Sequence, residues 1–128
     1  MEEQLLKSGE RINQLFSTDI KIIQNREVFS YSVDSVLLSR FPRFPKKGLI
    51  VDFCAGNGAV GLFASSRTEA QILSVEIQER LADMAERSVR LNGLEKQMQV
   101  ICDDLKNMPA HIQGSKVDMI LCNPPYFK

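Results

Sequence analysis

Polar groups able to do chemistry stand in this 128-residue chain where short apolar runs end. They are Asp52 with the glycines behind it, Glu76, Asp103 with Asp104, and Asn123 followed by Pro124, Pro125 and Tyr126. The first group contains Gly56-Asn57-Gly58-Ala59-Val60-Gly61, a G-x-G-x-x-G spacing, and Glu76 lies twenty residues beyond Gly56. Glycines let the backbone turn sharply and let a ligand approach without interference from a Cβ. An acid that far downstream, after the next apolar run, is placed to accept hydrogen bonds from ribose hydroxyls. The chemistry served by this pattern is nucleotide-cofactor binding; the plain alternative is a simple strand-to-helix turn.

NAD is one cofactor the spacing would suit. Asp52 argues against it, because a carboxylate just before the loop lies close to where an anionic pyrophosphate would dock. The same charge suits a cofactor with a cationic centre and an ammonium group. Asp103 closes a third apolar run and is placed to accept from an adenine amino group. Asp104 is the alternative for that role, or else the cap of the segment that follows. Proline fixes φ and has no N–H, so Pro124-Pro125 makes a stiff loop with its carbonyls turned outward. As a structural element alone, it would be a Pro-rich strand terminator with Tyr126 packing.

These groups need a scaffold. Residues 48–53, 70–77, 98–103 and 116–122 read as strands, the first followed by a glycine-rich turn and a small-residue helix. Over 77–92, Ile77, Leu81, Ala85 and Val89 recur at i+4 with Met84 beside them, which predicts an amphipathic helix ended by Asn92-Gly93. Continuous apolar strands separated by helices predict an α/β fold, a mostly parallel sheet covered on both faces by flanking helices. Right-handed crossovers then bring the loops after the strands to one edge. Upstream, 18–31 predicts a β-hairpin about a "QNRE" turn. Residues 32–41 predict a helix capped by Ser32, with Asp34 in its first turn or on the cofactor side, and stopped by Pro42. The division expected is an N-terminal hairpin and helix segment over 1–47 and a cofactor-binding core over 48–128, within one structural unit.

Composition sets bounds. Apolar residues make up 44% and charged residues 25%, an ordinary globular balance, and sixteen basic side chains offset sixteen acidic ones. No overall basic footprint marks a nucleic-acid surface. The local cluster "RFPRFPKK" (40–47) is a solvated linker or a phosphate-contacting patch. No apolar run reaches membrane-span length and the N-terminus is not signal-like, so a cytoplasmic protein with no membrane partner is expected. Cys54, Cys102 and Cys122 share no metal-like spacing and read as reduced, small, buried fillers, with no metal site. His111, the single histidine, reads as a surface or loop residue without a partner cluster.

Asp52-Phe53-Cys54-Ala55-Gly56-Asn57-Gly58 resembles the D-x-x-x-G-x-G motif of class I S-adenosylmethionine methyltransferases. The order glycine loop, Glu76, Asp103, Asn123-Pro124-Pro125-Tyr126 is that of the amino-methylating members. The segment "FSYSVDSVLLSRF" (29–41) is similar to the one preceding the loop in small-domain RNA methyltransferases, in particular the bacterial enzymes that methylate adenine N6 in valine tRNA. The resemblance covers nearly the whole chain. It implies a Rossmann-like fold, S-adenosylmethionine as cofactor, and a nucleic acid substrate, tRNA. By this resemblance Asp52, Ala55, Gly56, Asn57, Gly58, Glu76, Ile77, Asp103 and Asp104 hold the cofactor, and Asn123, Pro124, Pro125 and Tyr126 hold the target. The Asn123 side-chain oxygen and the Pro124 carbonyl would accept the two N–H bonds of the amine, and Tyr126 would stack on the base. Other planar amines fit the same motif: guanine N2, DNA adenine, or the side-chain amide of a protein glutamine.

There are two departures. Cys54 stands where many relatives have a glycine, and a small residue there is expected to be tolerated. The chain also ends just after the Asn-Pro-Pro-Tyr motif, whereas complete members continue. The expectation is therefore a truncated methyltransferase, with a catalytically incomplete cofactor-binding fragment as the alternative. Much of the target recognition would then lie elsewhere, and strand 116–122 would form an exposed edge prone to self-association.

Overall fold

The computed structural model describes residues 2–15, 18–25, 43–112, 114 and 116–122. The expected helix at 32–41, the second arm of the expected hairpin, and Asn123 to Tyr126 lie outside these residues.

Among the described residues four parallel strands form one sheet: β3 (Leu49–Phe53), β4 (Gln71–Glu76), β5 (Met98–Cys102) and β6 (Met119–Cys122), in the order β5-β4-β3-β6. This is the predicted α/β architecture. Between β3 and β4 runs α1 (Ala59–Ser65), and between β4 and β5 runs α2 (Glu79–Leu91). A 3₁₀ turn (Leu105–Asn107) and the short α3 (Met108–His111) follow β5.

Period-2 alternation divides the sheet between two cores. Ile50, Ile72 and Leu121 join Val60, Leu62 and Phe63 of α1 and Val89 of α2 on one face. Val51, Leu73 and Val75 pack with Met108 of α3 on the other. Both faces are covered, which is why the strands read as continuous apolar runs rather than alternating ones. In α2 the predicted stripe holds: Leu81, Met84, Ala85 and Val89 are buried, Glu79 opens the first turn and Arg90 closes the last. Ile77 falls outside this helix and is 61% exposed. Past Asn92, Gly93 at φ +67° turns the chain toward β5.

The N-terminal hairpin differs from expectation. Its strands are β1 (Glu10–Gln14) and β2 (Lys21–Asn25), antiparallel, with Arg11 opposite Gln24 and Ile12 opposite Ile23. Gln24 and Asn25, expected in a turn, are buried strand residues. Backbone pairing with β1 and cover from α2 outweigh their turn preference, and neither signal shows in local sequence. The Ile23 N–H donates to Ser88 Oγ (2.9 Å), and the Asn92 amide spans the Lys21 backbone, accepting from its N–H (2.8 Å) and donating to its carbonyl (2.6 Å). Arg87 bonds the Glu10 carboxylate bidentately and donates to the Leu5 carbonyl (2.7 Å). The hairpin is thus held to α2 by polar groups as well as by Ile23, Leu81 and Met84.

Candidate functional site

Because β3, β4 and β5 run parallel and in register, their C-terminal ends share an edge. Asp52, the glycine loop, Glu76, Ile77 and Asp103 lie along it. Asp104 is beside them, but its carboxylate accepts from the Lys106 N–H (3.1 Å) and caps the 3₁₀ turn.

Asp52 is the penultimate residue of β3, in register between Ser74 and Leu121. It is 1% exposed, and its Oδ2 has no hydrogen-bond partner. Burial, and secondarily the charge of Glu76, push its pKa up to about 8, so its carboxyl holds a proton at neutral pH. A buried acid with an unpartnered oxygen is poised to ionise when a cationic group arrives.

The loop beyond it is built from left-handed residues: Cys54 at φ +59°, Gly56 at +58° and Gly58 at +89°. The Ala55 N–H donates to the Val75 carbonyl (2.9 Å) and the Gly58 N–H to the Ala55 carbonyl (2.9 Å), folding the turn back on β4. The two glycines have different surroundings. A Cβ at Gly56 would meet nothing within 4 Å, whereas one at Gly58 would lie 3.1 Å from Ala85 Cβ. Gly56 therefore borders open space, and Gly58 lets the loop pack against α2. Asn57 is buried, and its Nδ2 lacks a partner.

Glu76 is 6% exposed and binds the loop directly, Oε1 accepting from the Gly56 N–H (2.7 Å) and Oε2 from the Gln78 N–H (2.9 Å). A carboxylate has about four acceptor sites, so each oxygen keeps capacity for one hydroxyl donor. Asp103 is partly occupied. Its Oδ1 accepts from the Asp104 N–H and the Asn107 amide (both 2.7 Å), and Oδ2 lies 2.8 Å from His111 Nε2. The His111 contact, with Asn107 and the Asp104 amide, holds the carboxyl down to about 2. One acceptor site on Oδ2 remains for an amino donor.

Sequence reading missed two features of this edge. His111 has a partner, because the turn after β5 returns α3 to Asp103; no spacing rule signals a contact made through a tertiary turn. The cysteines are not buried fillers: Cys54 is half-buried, and Cys102 and Cys122 are exposed. Each stands at or just past a strand's end, where the covering layers stop. No group of three or more metal-ligating side chains occurs among the described residues, nor any helix long and apolar enough to cross a membrane.

A parallel sheet with a glycine loop after one strand and an acid after the next defines a Rossmann-like nucleotide-cofactor protein. The chain belongs to the methyltransferase small domain family, whose profile matches residues 19–128. It is 30% identical over 96 residues to the tRNA1(Val) (adenine(37)-N6)-methyltransferase of Shewanella halifaxensis, covering 75% of this chain and 39% of that protein. The enzyme of the same name from Bacteroides fragilis is 29% identical over 94 residues, covering 73% of this chain and 40% of it. The chain therefore spans about two fifths of the length of these relatives. Among solved structures, the SAM-dependent methyltransferase from Agrobacterium tumefaciens superposes with a TM-score of 0.69 at 20% identity, over 96% of this chain and 42% of that one. M. capricolum TrmK, solved with S-adenosyl-homocysteine, gives 0.61 at 11% identity over 73% of this chain and 41% of that chain. These last two likenesses establish the fold.

Proposed function

We propose that the chain is an S-adenosylmethionine-dependent N-methyltransferase, or the cofactor-binding part of one, acting on the N6 amine of adenine in RNA, in particular tRNA. The observation that carries the cofactor reading is Asp52: a buried acid with an unpartnered oxygen, next to the open space at Gly56. That pair fits a cationic cofactor, whose arrival would draw the proton from Asp52, and offers an anionic pyrophosphate no opposite charge. Support for the substrate comes from the family and from the names of its tRNA-modifying relatives. A cytoplasmic location follows from that substrate.

S-adenosylmethionine, when bound, supplies an already activated sulfonium methyl. The chain's residues bind and orient. Asp52 faces the cationic end, the Gly56–Gly58 backbone permits close approach, and the free acceptor sites of Glu76 take ribose hydroxyls. Ile77 offers an exposed apolar surface to the adenine ring, and the remaining site on Asp103 takes its amino group. Asn123 and the Pro124 carbonyl accept the two N–H bonds of the target amine, drawing its lone pair out of conjugation. Pro125 stiffens that loop and Tyr126 stacks on the base, a contact of about 1–3 kcal/mol. Positioning is the main requirement, and the amine proton leaves after attack. Self-association is part of the proposal, since among the described residues β6 ends the sheet with Ile120 58% exposed. Sedimentation showing a strict monomer would remove it.

Calorimetric titration of S-adenosylmethionine, and separately NAD, into the chain tests the cofactor. Binding of the first alone, abolished by Asp52→Ala, supports the reading and leads to a methyl-transfer assay on unmodified tRNA. Binding of NAD instead overturns it.

A further inference from the structure

Cys54 and Cys122 come from opposite ends of the core yet meet at the same edge. Phe53 is the register partner of Cys122 across β3 and β6, so Cys54 is one residue past it. With neighbouring strands about 4.8 Å apart and a rise of about 3.3 Å per residue, the two α-carbons stand roughly 6 Å apart, inside the span a disulfide bridges. A continuing strand would send the Cys54 side chain to the opposite face. Instead Cys54 takes φ +59°, which breaks the alternation. Its thiol lies against that of Cys122, and burial followed by the Cys122, Glu76 and Asp52 groups raises its pKa. Both cysteines are free, Cys122 exposed and Cys54 half-buried, and Cys102 instead contacts the Ile77 carbonyl (3.7 Å).

We propose that Cys54 and Cys122 form a reversible dithiol–disulfide couple that locks the glycine loop to the end of β6. The oxidant is a low-molecular-weight disulfide. The Cys122 thiolate, the more accessible sulfur, attacks it and releases one thiol, leaving a mixed disulfide on Cys122. Cys54 loses its proton and attacks the Cys122 sulfur, and the second small thiol departs with its electron pair and takes up a proton. Two protein thiols are oxidised and one small disulfide is reduced to two thiols. Closure ties the loop carrying Gly56 covalently to the residue before Asn123.

The test uses the whole chain, reduced and then incubated with oxidised glutathione, denatured, alkylated and mapped by mass spectrometry. Two of the three thiols should lose reactivity, with the Cys54 and Cys122 peptides linked and Cys102 alkylated. Alkylation of both Cys54 and Cys122, glutathione remaining on Cys122, or a disulfide-linked dimer overturns the proposal. Cys54→Gly, which suits the left-handed backbone and keeps the fold, should leave Cys122 carrying glutathione. If that variant still forms an internal disulfide, Cys122 pairs with Cys102 and the proposal falls.

The consequence for ligand binding rests on the cofactor reading above. Calorimetry should show the oxidised chain binding S-adenosylmethionine at least about tenfold more weakly, reversed by dithiothreitol. Equal affinity of both forms would overturn this consequence for binding. No binding by the reduced chain would defeat the cofactor reading, while the disulfide map would still decide the couple.

Discussion

The Glu76 carboxylate accepts the Gly56 N–H at 2.7 Å, joining the acid at the end of β4 to the apex of the glycine loop. With its second bond to Gln78, this one side chain helps hold the loop in position and keeps one acceptor site on each oxygen.

Glu76→Ala removes both bonds and leaves two backbone donors unsatisfied. Hydrogen bonds to charged groups contribute about 1.5–3 kcal/mol each, so denaturant unfolding should show a loss of about 2–4 kcal/mol, less if water replaces the acceptor. Because the Glu76 charge also raises the Asp52 pKa, Glu76→Gln should lower that pKa from about 8 in a carboxyl NMR titration. An unmoved Asp52 would mean that burial alone sets it.

Asp52 makes stability depend on pH in a defined direction. Its folded pKa, about 8, is above its unfolded value, 3.8, so between those values the native state holds a proton that the unfolded chain has lost. The stabilisation is fully present below about pH 3.8, declines as pH rises, and is gone above about 8. Asp52→Asn keeps the shape without the titration. Its stability advantage over the wild type, followed by denaturant unfolding, should grow as pH rises from about 3.8 and level off above about 8. Binding a cationic ligand to the wild type near neutral pH should release a proton, read as a binding enthalpy that varies with buffer ionisation heat.

Gly56 and Gly61 separate ligand space from packing space. A Cβ at Gly61 would fall 2.8 Å from both Met98 Cε and Ser74 Oγ, so Gly61→Ala should destabilise by about 1–3 kcal/mol through overpacking. Gly56→Ala meets no atom within 4 Å, and its left-handed φ costs about 1 kcal/mol. It should leave the fold intact and weaken cofactor binding; calorimetry beside thermal melts distinguishes the two variants.

The buried pair Arg87 and Glu10, with side chains only 5% and 3% exposed, anchors the hairpin to α2. Arg87→Met leaves Glu10 buried without its partner and should cost about 3–5 kcal/mol, with Glu10→Gln in the same chain recovering part of it. The Arg87 bond holds the Glu10 pKa below its ordinary 4.5. The pair's stabilisation is therefore present above that value and lost as pH falls through the lowered folded pKa. An acid titration of stability that is unchanged in the double variant would refute this assignment.

The sequence by itself determined the parallel sheet, its four strands, the amphipathic α2 and the alignment of Asp52, Glu76 and Asp103 along one edge. Those features follow from local periodicity and from crossover handedness, which need no knowledge of distant contacts. Tertiary structure alone decided the partners. β2 pairs with residues 10–14 because α2 covers it, although Gln24-Asn25 looks like a turn. His111 meets Asp103 because a short turn reverses the chain after β5, and Cys54 meets Cys122 because β6 inserts beside β3. Such pairings depend on how separate elements close on one another in space, and residue spacing carries no record of that closure.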